Sequence, residues 1–163
     1  WSDPAKYLLL ISMFIGGSAG SAAGSIKAVR WYVILKSIKR ELFITIHPDS
    51  ILPIRFSGNI LDEKTIHNIY VFTFIFIIIV FVSTLFFFLD SIQTNTDLTV
   101  LESLSVSLAV LGNIGPGFGV IGPMENYISF SIQAKLYMIF LMWIGRVEIL
   151  SILVLFTPSF WKS

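Results

Sequence analysis

From Tyr70 to Leu89 the chain runs for roughly twenty residues without a charge. At about 1.5 Å of rise per residue, such a run as a helix crosses a hydrocarbon core about 30 Å thick. The stretch therefore predicts a transmembrane helix, and the rest of the chain has to be compatible with a bilayer. Composition agrees: 55% of residues are hydrophobic, 15 are Phe, and only 13% are charged, about half of what a soluble surface needs. The formal net charge of +1 gives no reason to expect nucleic acid, and with no Cys there are no disulfides, thiolate metal sites or Cys nucleophiles. The chain opens at Trp1 and its first apolar run follows Asp3-Pro4 rather than a basic stretch, so it reads as an excerpt of a longer protein without a signal peptide.

Two further spans are expected. One, about Leu136 to Phe156, is apolar apart from Gly145-Arg146 and Glu148. The other begins at Tyr7, breaks after Ile15 into Gly16-Gly17-Ser18-Ala19-Gly20-Ser21-Ala22-Ala23-Gly24-Ser25, and resumes from Ile26 to Leu35. Between the long spans, Asp97 to Leu111 has the chemistry of a helix start. Thr99 and Glu102 match a capping box, with Asp97 as an alternative cap. Leu98, Leu101, Leu104, Leu108 and Leu111 recur at helical spacing, with Ser103, Ser105 and Ser107 between them. About fifteen residues reach only about 22 Å, so this helix has to turn back at membrane depth, with Gly112 to Gly119 as the turn. Unpaired backbone groups cost several kcal/mol each in hydrocarbon, which requires that the turn line a wet cavity.

Lys36, Lys39, Arg40, Arg55 and Lys64 fall in one connection, whereas Asp90 to Gln133 contains no Lys or Arg. The basic connection is then cytoplasmic and the short helix enters from outside. Ala5-Lys6, Met13, Ile15 and Gly16 recur as Ala134-Lys135, Met142, Ile144 and Gly145 at a constant offset of 129 residues. That echo suggests a repeated unit of helix, half-helix and helix.

The end of a half-helix directs carbonyl oxygens, and roughly half a negative charge, at Asn113-Ile114-Gly115, which favours a cation. An extended strand through Ile114 and Gly115 would offer carbonyls in place of a hydration shell; the competing reading is an ordinary Gly-Pro-Gly turn. The glycine-rich break has three readings: a small-xxx-small packing face through Gly16, Gly20 and Gly24, a phosphate loop, or an unwound intramembrane segment. No Gly-Lys-Ser/Thr follows, and the whole circumference is small, which favours the unwound segment. Arg146 is costly in a membrane helix, by about 3 kcal/mol. It either donates to carbonyls of the glycine-rich loop, adds a positive barrier near the cation, or pairs with another helix. Glu148, two positions on, faces elsewhere. Lys6 and Lys135 read as interfacial anchors, and His47 and His67 as solvated surface.

Gly16 through Arg30, Arg40-Glu41-Leu42 with His47-Pro48, Asn113-Ile114-Gly115-Pro116-Gly117, and Gly145-Arg146-Val147-Glu148 through Phe156-Thr157-Pro158-Ser159-Phe160-Trp161 together resemble the Trk-type potassium transporters, TrkH-like members of the Trk/Ktr/HKT superfamily. The resemblance covers nearly the whole chain. It implies an all-α membrane fold with residues 1–40 as the last, broken helix of a third pore repeat, 41–65 as a cytoplasmic connection, and 66–163 as a fourth repeat. It further implies that Asn113, Ile114, Gly115 and Pro116 form one quarter of a K+ filter. Gly16, Gly17, Gly20 and Gly24 would form a gating loop that Arg146 contacts. The family commonly shows Gly-Gly where this chain has Gly24-Ser25. Also implied are a homodimer in the cell membrane, multi-pass, and cytoplasmic nucleotide-binding (TrkA-like) regulatory subunits. No cofactor is expected beyond the transported K+, and the nucleotide would belong to the partner. Sodium permeation or coupling is the alternative within transport. A membrane enzyme would need a nucleophile and base, which the membrane-embedded ionisable residues Arg146, Glu148, Lys27 and Arg30 do not supply, and a helix-packing module would need a continuous glycine face.

Overall fold

A computed structural model of the protein describes residues 2–18, 20–21, 24–48, 50 and 52–147. Among the described residues five helices dominate: α1 (Asp3–Phe14), α2 (Ala28–Ile46), α3 (Glu63–Thr94), α4 (Val100–Leu111) and α5 (Ile132–Val147). A two-residue-per-strand hairpin, β1 (Arg55–Phe56) and β2 (Asn59–Ile60), lies between α2 and α3, and a single 3₁₀ turn covers Gly119–Ile121.

α3 has 32 residues, about 48 Å of helix. It is the one helix among the described residues that is long and apolar enough to cross a bilayer by itself. It extends the uncharged run at both ends. At its start Glu63 accepts from Arg40 on α2 at 2.6 Å. At its other end Asn95 takes the left-handed cap position at φ +51°. Phe74, Ile77, Phe81 and Leu85 are exposed, as lipid-facing residues are, while Phe72, Phe76, Val80 and Phe87 turn inward.

α4 packs chiefly against α3 and then against α5. Its capping box forms as the sequence predicts: Thr99 Oγ1 accepts from the Glu102 backbone N–H at 3.2 Å, and Glu102 accepts from the Thr99 N–H at 2.9 Å. Asp97 is not the cap; it sits in the left-handed region at φ +47°. The leucine stripe alone does not define the buried face. Ser103, Ser105 and Ser107 are fully buried too, and Thr84 of α3 donates to Ser107 at 3.2 Å. Short hydroxyl side chains let α4 approach α3 closely; Ser105 and Ser107 bond back to the Glu102 and Ser103 carbonyls at 2.7 and 3.0 Å, while the Ser103 hydroxyl has no partner among the described residues.

The first span breaks where the small residues begin. α1 ends at Phe14, Ile15 is extended, and α2 starts only at Ala28. The backbone groups freed by the break pair with the returning chain: Gly16 N–H donates to Ile26 O at 3.0 Å and Ala28 N–H to Gly17 O at 3.2 Å. Trp31 Nε1–H closes the end of α1 by donating to Phe14 O at 3.3 Å. This is an unwound segment, not the continuous glycine face of a packed helix.

α2 runs past residue 40 to Ile46, which places Lys36, Lys39 and Arg40 on a helix. The hairpin after it turns on Ser57 and Gly58, both left-handed at φ +50° and +87°, the pattern of a tight two-residue turn. Lys36 donates to Arg55 O at 2.9 Å and ties the hairpin to α2. The expected last span is helical from Ile132 to Val147. Its remainder to Phe156, with Glu148 and the Thr157-to-Trp161 motif, lies outside the described residues.

Candidate functional site

Three segments far apart in sequence meet at the C-terminal end of α4: the glycine-rich loop at Gly24, the helix cap at Gly112, and α5 at Gly145. A Cβ on Gly145 would lie 1.9 Å from Leu111 O. One on Gly24 would lie 2.4 Å from the same oxygen and 2.6 Å from Gly145 O. One on Gly112 would meet Ser25 Oγ at 2.6 Å. At Gly24 and Gly145 backbone therefore rests on backbone, and only glycine permits it. Gly24 N–H donates to Gly112 O at 3.0 Å, so the loop is hydrogen-bonded directly to the residue that precedes the predicted filter.

α4 ends in a Schellman motif. Asn113 N–H bonds Val110 O at 3.2 Å and Ile114 N–H bonds Ala109 O at 2.9 Å, with Asn113 left-handed at φ +52°. The Ile114 N–H is thereby spent on closing the helix, and Asn113 takes the left-handed region that the motif needs and that Asn tolerates. Gly115, at φ +116°, follows with nothing near its missing Cβ. Asn113 through Pro116 are exposed, directly after a helix end buried from Val106 to Leu111.

A cavity of about 710 Å³ runs beside this exposed chain, between α1 and the start of α4, lined in part by Lys6, Met13, Glu102, Ile114, Pro116 and Phe118. Ile114 and Pro116 border this cavity, and Asn113 and Gly115 between and beside them are exposed. The partial negative end of α4 points toward them, an arrangement suited to a cation.

Side chains fix the segment from three directions. Asn113 Nδ2 donates to Met142 O of α5 at 3.1 Å. Phe118 N–H donates to Ser105 Oγ of α4 at 3.0 Å. Tyr127 donates its hydroxyl to Gly115 O at 2.9 Å, and burial raises the pKa of that hydroxyl above the ordinary phenol value. Sequence reasoning singled out none of these three side-chain contacts. Asn113 carried the one readable signal, since Asn just past a helix end favours the left-handed cap.

The predicted gating residues divide. Gly24 joins the α4–α5 contact. Gly16 and Gly17 pair with the returning strand, and a Cβ on Gly20 would meet nothing within 4 Å. Gly145 is the residue of the Gly145-Arg146 pair that meets Gly24, and Arg146 follows it, exposed, in the last described turn of α5. Lys135, expected as an interfacial anchor, donates to Ile128 O of the loop before α5 at 2.9 Å. Among the described residues, no group of three His, Cys, Asp or Glu side chains is placed to hold a metal.

Comparison with known proteins identifies this architecture. The family model for TrkH, a cation transport protein, matches residues 1–163. The Trk system potassium uptake protein TrkH of Escherichia coli K12 is 35% identical over 156 residues, covering 96% of this chain and 31% of that protein. TrkG of the same organism is 30% identical over 163 residues, all of this chain and 32% of the relative. The crystal structure of the potassium transporter TrkH from Vibrio parahaemolyticus superposes with a TM-score of 0.77 at 31% identity, over 99% of this chain and 33% of that one. The chain thus spans about a third of the length of these relatives. An all-α membrane fold with a short internal helix closing on an exposed turn, matched along its whole length by these transporters, places the chain in the TrkH family of cation transport proteins.

Proposed function

We propose that this chain contributes one quarter of a potassium-conducting pore, together with the loop that gates it, to a multi-pass potassium-uptake protein of the cell membrane. The observation that carries the proposal is the exposed main chain of Asn113 to Pro116, standing at the C-terminal end of a 12-residue helix. Twelve residues reach about 18 Å, too little to cross a bilayer. Carbonyls of Asn113, Ile114 and Gly115 replace part of the ion's hydration shell, with Pro116 at the edge, and the remaining three filter strands come from the parent protein. Residues 1–40 and 66–163 belong to the third and fourth repeats of that pore, joined by the cytoplasmic connection 41–65.

Gly16, Gly17, Gly20 and Gly24 form the gate in this reading. Among the described residues, the Gly24–Gly112 backbone bond and glycine contacts tie the loop to the filter helix, and its displacement opens the path. Arg146, one residue beyond Gly145, adds a positive charge on the loop side of the ion site. The basic face of α2 and the hairpin is the surface for a nucleotide-binding regulatory subunit, and the full-length subunit works as a homodimer. The process is permeation, with no chemical reaction.

Replacing Gly115 by Ser in the intact parent protein tests the filter. At φ +116° a side chain is strained, so the carbonyl array distorts and discrimination between K+ and Na+ falls. The readout is the ratio of Rb+ to Na+ uptake. An unchanged ratio overturns the filter assignment; equal Rb+ and Na+ uptake by the unsubstituted protein would instead make it a sodium-permeable transporter.

A further inference from the structure

The Gly115–Pro116 peptide is a tertiary amide and has no N–H. No main-chain donor on that peptide can fix its plane, and Gly115 has no side chain to restrict rotation. The Pro116 ring narrows the range of that plane without a hydrogen bond to hold it, and in this structure the Tyr127 hydroxyl donates to the oxygen at 2.9 Å, reaching back twelve residues. The ring that carries the hydroxyl is itself positioned. It packs on Phe130 with centroids 6.1 Å apart and belongs to the margin of the main core cluster. Phe130 is buried and in turn meets Phe87 of α3 edge-on at 6.3 Å. The loop between filter and α5 is tightened by Gly122 O accepting from Glu125 N–H at 3.0 Å and by Ser131, which accepts from Ala134 N–H at 3.0 Å as the cap of α5. The buried Asp90 of α3 accepts from that same Ser131 hydroxyl. A chain of contacts thus runs from α3 through Phe130 and Tyr127 to one carbonyl oxygen.

We propose that Tyr127 is a positioning and specificity-determining residue of the ion pathway: its hydroxyl fixes the direction of the Gly115 carbonyl and leaves the second lone pair of that oxygen for the ion. This rests on the reading of residues 113–116 as a filter. A carbonyl oxygen has two lone pairs, so one donor and one cation are compatible on it. Without the hydroxyl the carbonyl loses the donor that holds it within the range the proline ring allows, and the spacing of carbonyls that distinguishes K+ from the smaller Na+ loosens.

The test uses the full-length protein in proteoliposomes and the ratio of Rb+ to Na+ flux, which does not depend on how much protein inserts. Tyr127→Phe keeps the ring and removes one oxygen. Losing one hydrogen bond corresponds to a roughly two- to tenfold fall in the ratio. Tyr137→Phe is the control. It removes a hydroxyl that pairs with Ser83 behind the short helix at 2.8 Å, and its ratio stays at the wild-type value. Should Tyr127→Phe keep the wild-type ratio while Gly115→Ser relaxes it, Tyr127 has no positioning role and the filter stands. Silence of both variants removes the filter reading itself. Equal relaxation by Tyr127→Phe and Tyr137→Phe also overturns the proposal, since it marks general loosening of the fold.

Discussion

α1 and α5 begin from the same local text and end differently. Ala5-Lys6, Met13, Ile15 and Gly16 match Ala134-Lys135, Met142, Ile144 and Gly145 position by position, yet α1 stops at Phe14 while α5 continues through Gly145 to Val147. The shared glycine does not decide the outcome, for it does the same thing in both places. Gly16 lets the returning strand approach, where a Cβ would meet Ser25 Cβ at 2.9 Å, and Gly145 lets the end of α4 approach, where a Cβ would meet Leu111 O at 1.9 Å. What differs is the next residue and those beyond it. Gly17 and the small residues after it give a helix no side chains to bury and lower its propensity by about 1 kcal/mol per glycine. Arg146 and Val147 occupy the matching positions of α5. The glycine marks a close approach; the sequence that follows decides whether the helix survives.

The largest effect that can break this comparison is Gly145→Ala. The added methyl meets a backbone carbonyl that cannot rotate away, and overpacking of this kind costs up to about 3 kcal/mol. Thermal unfolding of the full-length protein in detergent should show that loss, with a smaller one for Gly16→Ala, whose nearest obstacle is the small side chain of Ser25. Wild-type stability of Gly145→Ala would mean that α5 does not rest on the end of α4, and the three-glycine contact would go with it.

Arg146→Ala comes next in size and sharpens the comparison, since it makes α5 resemble α1 one residue past the glycine. A unit charge about 10 Å from an ion contributes on the order of tenfold in rate at an effective dielectric near 20. Flux through the full-length protein should therefore rise by on the order of tenfold, with the unfolding midpoint little changed. Loss of folded protein without a gain in flux would assign the arginine to a structural ion pair instead.

The same contrast explains what could be read from the sequence. The transmembrane run, the capping box at Thr99 and Glu102, and the break after Ile15 depend on neighbours within a few residues, and each appears where the residues place it. The junction of Gly24, Gly112 and Gly145 depends on packing between segments, which no local period records. Tyr127 was invisible for the same reason, since nothing around it announces a reach back to Gly115. The Ser57-Gly58 hairpin did carry a turn signal, but its strands are two residues each, too short for alternation to show. From the sequence, Ser103, Ser105 and Ser107 could be placed only between the leucines of α4; their burial depends on packing between helices.

Gly20→Ala has the smallest expected effect and separates two explanations of why the loop is built from small residues. If close packing in the closed state were the only reason, every glycine would have a neighbour at the place of its missing Cβ, as Gly16 and Gly24 do. Gly20 has none within 4 Å, and its φ lies outside the left-handed region. Alanine there should leave the unfolding midpoint within about 0.5 kcal/mol of wild type, the range of ordinary surface substitutions. Flux carries the information. An unchanged flux means that Gly20 serves only to keep the helix broken, a task its neighbours share. A marked fall in flux at unchanged stability means that the loop passes, on opening, through a conformation that alanine resists, and the composition of the break then reflects the open state as well as the closed one.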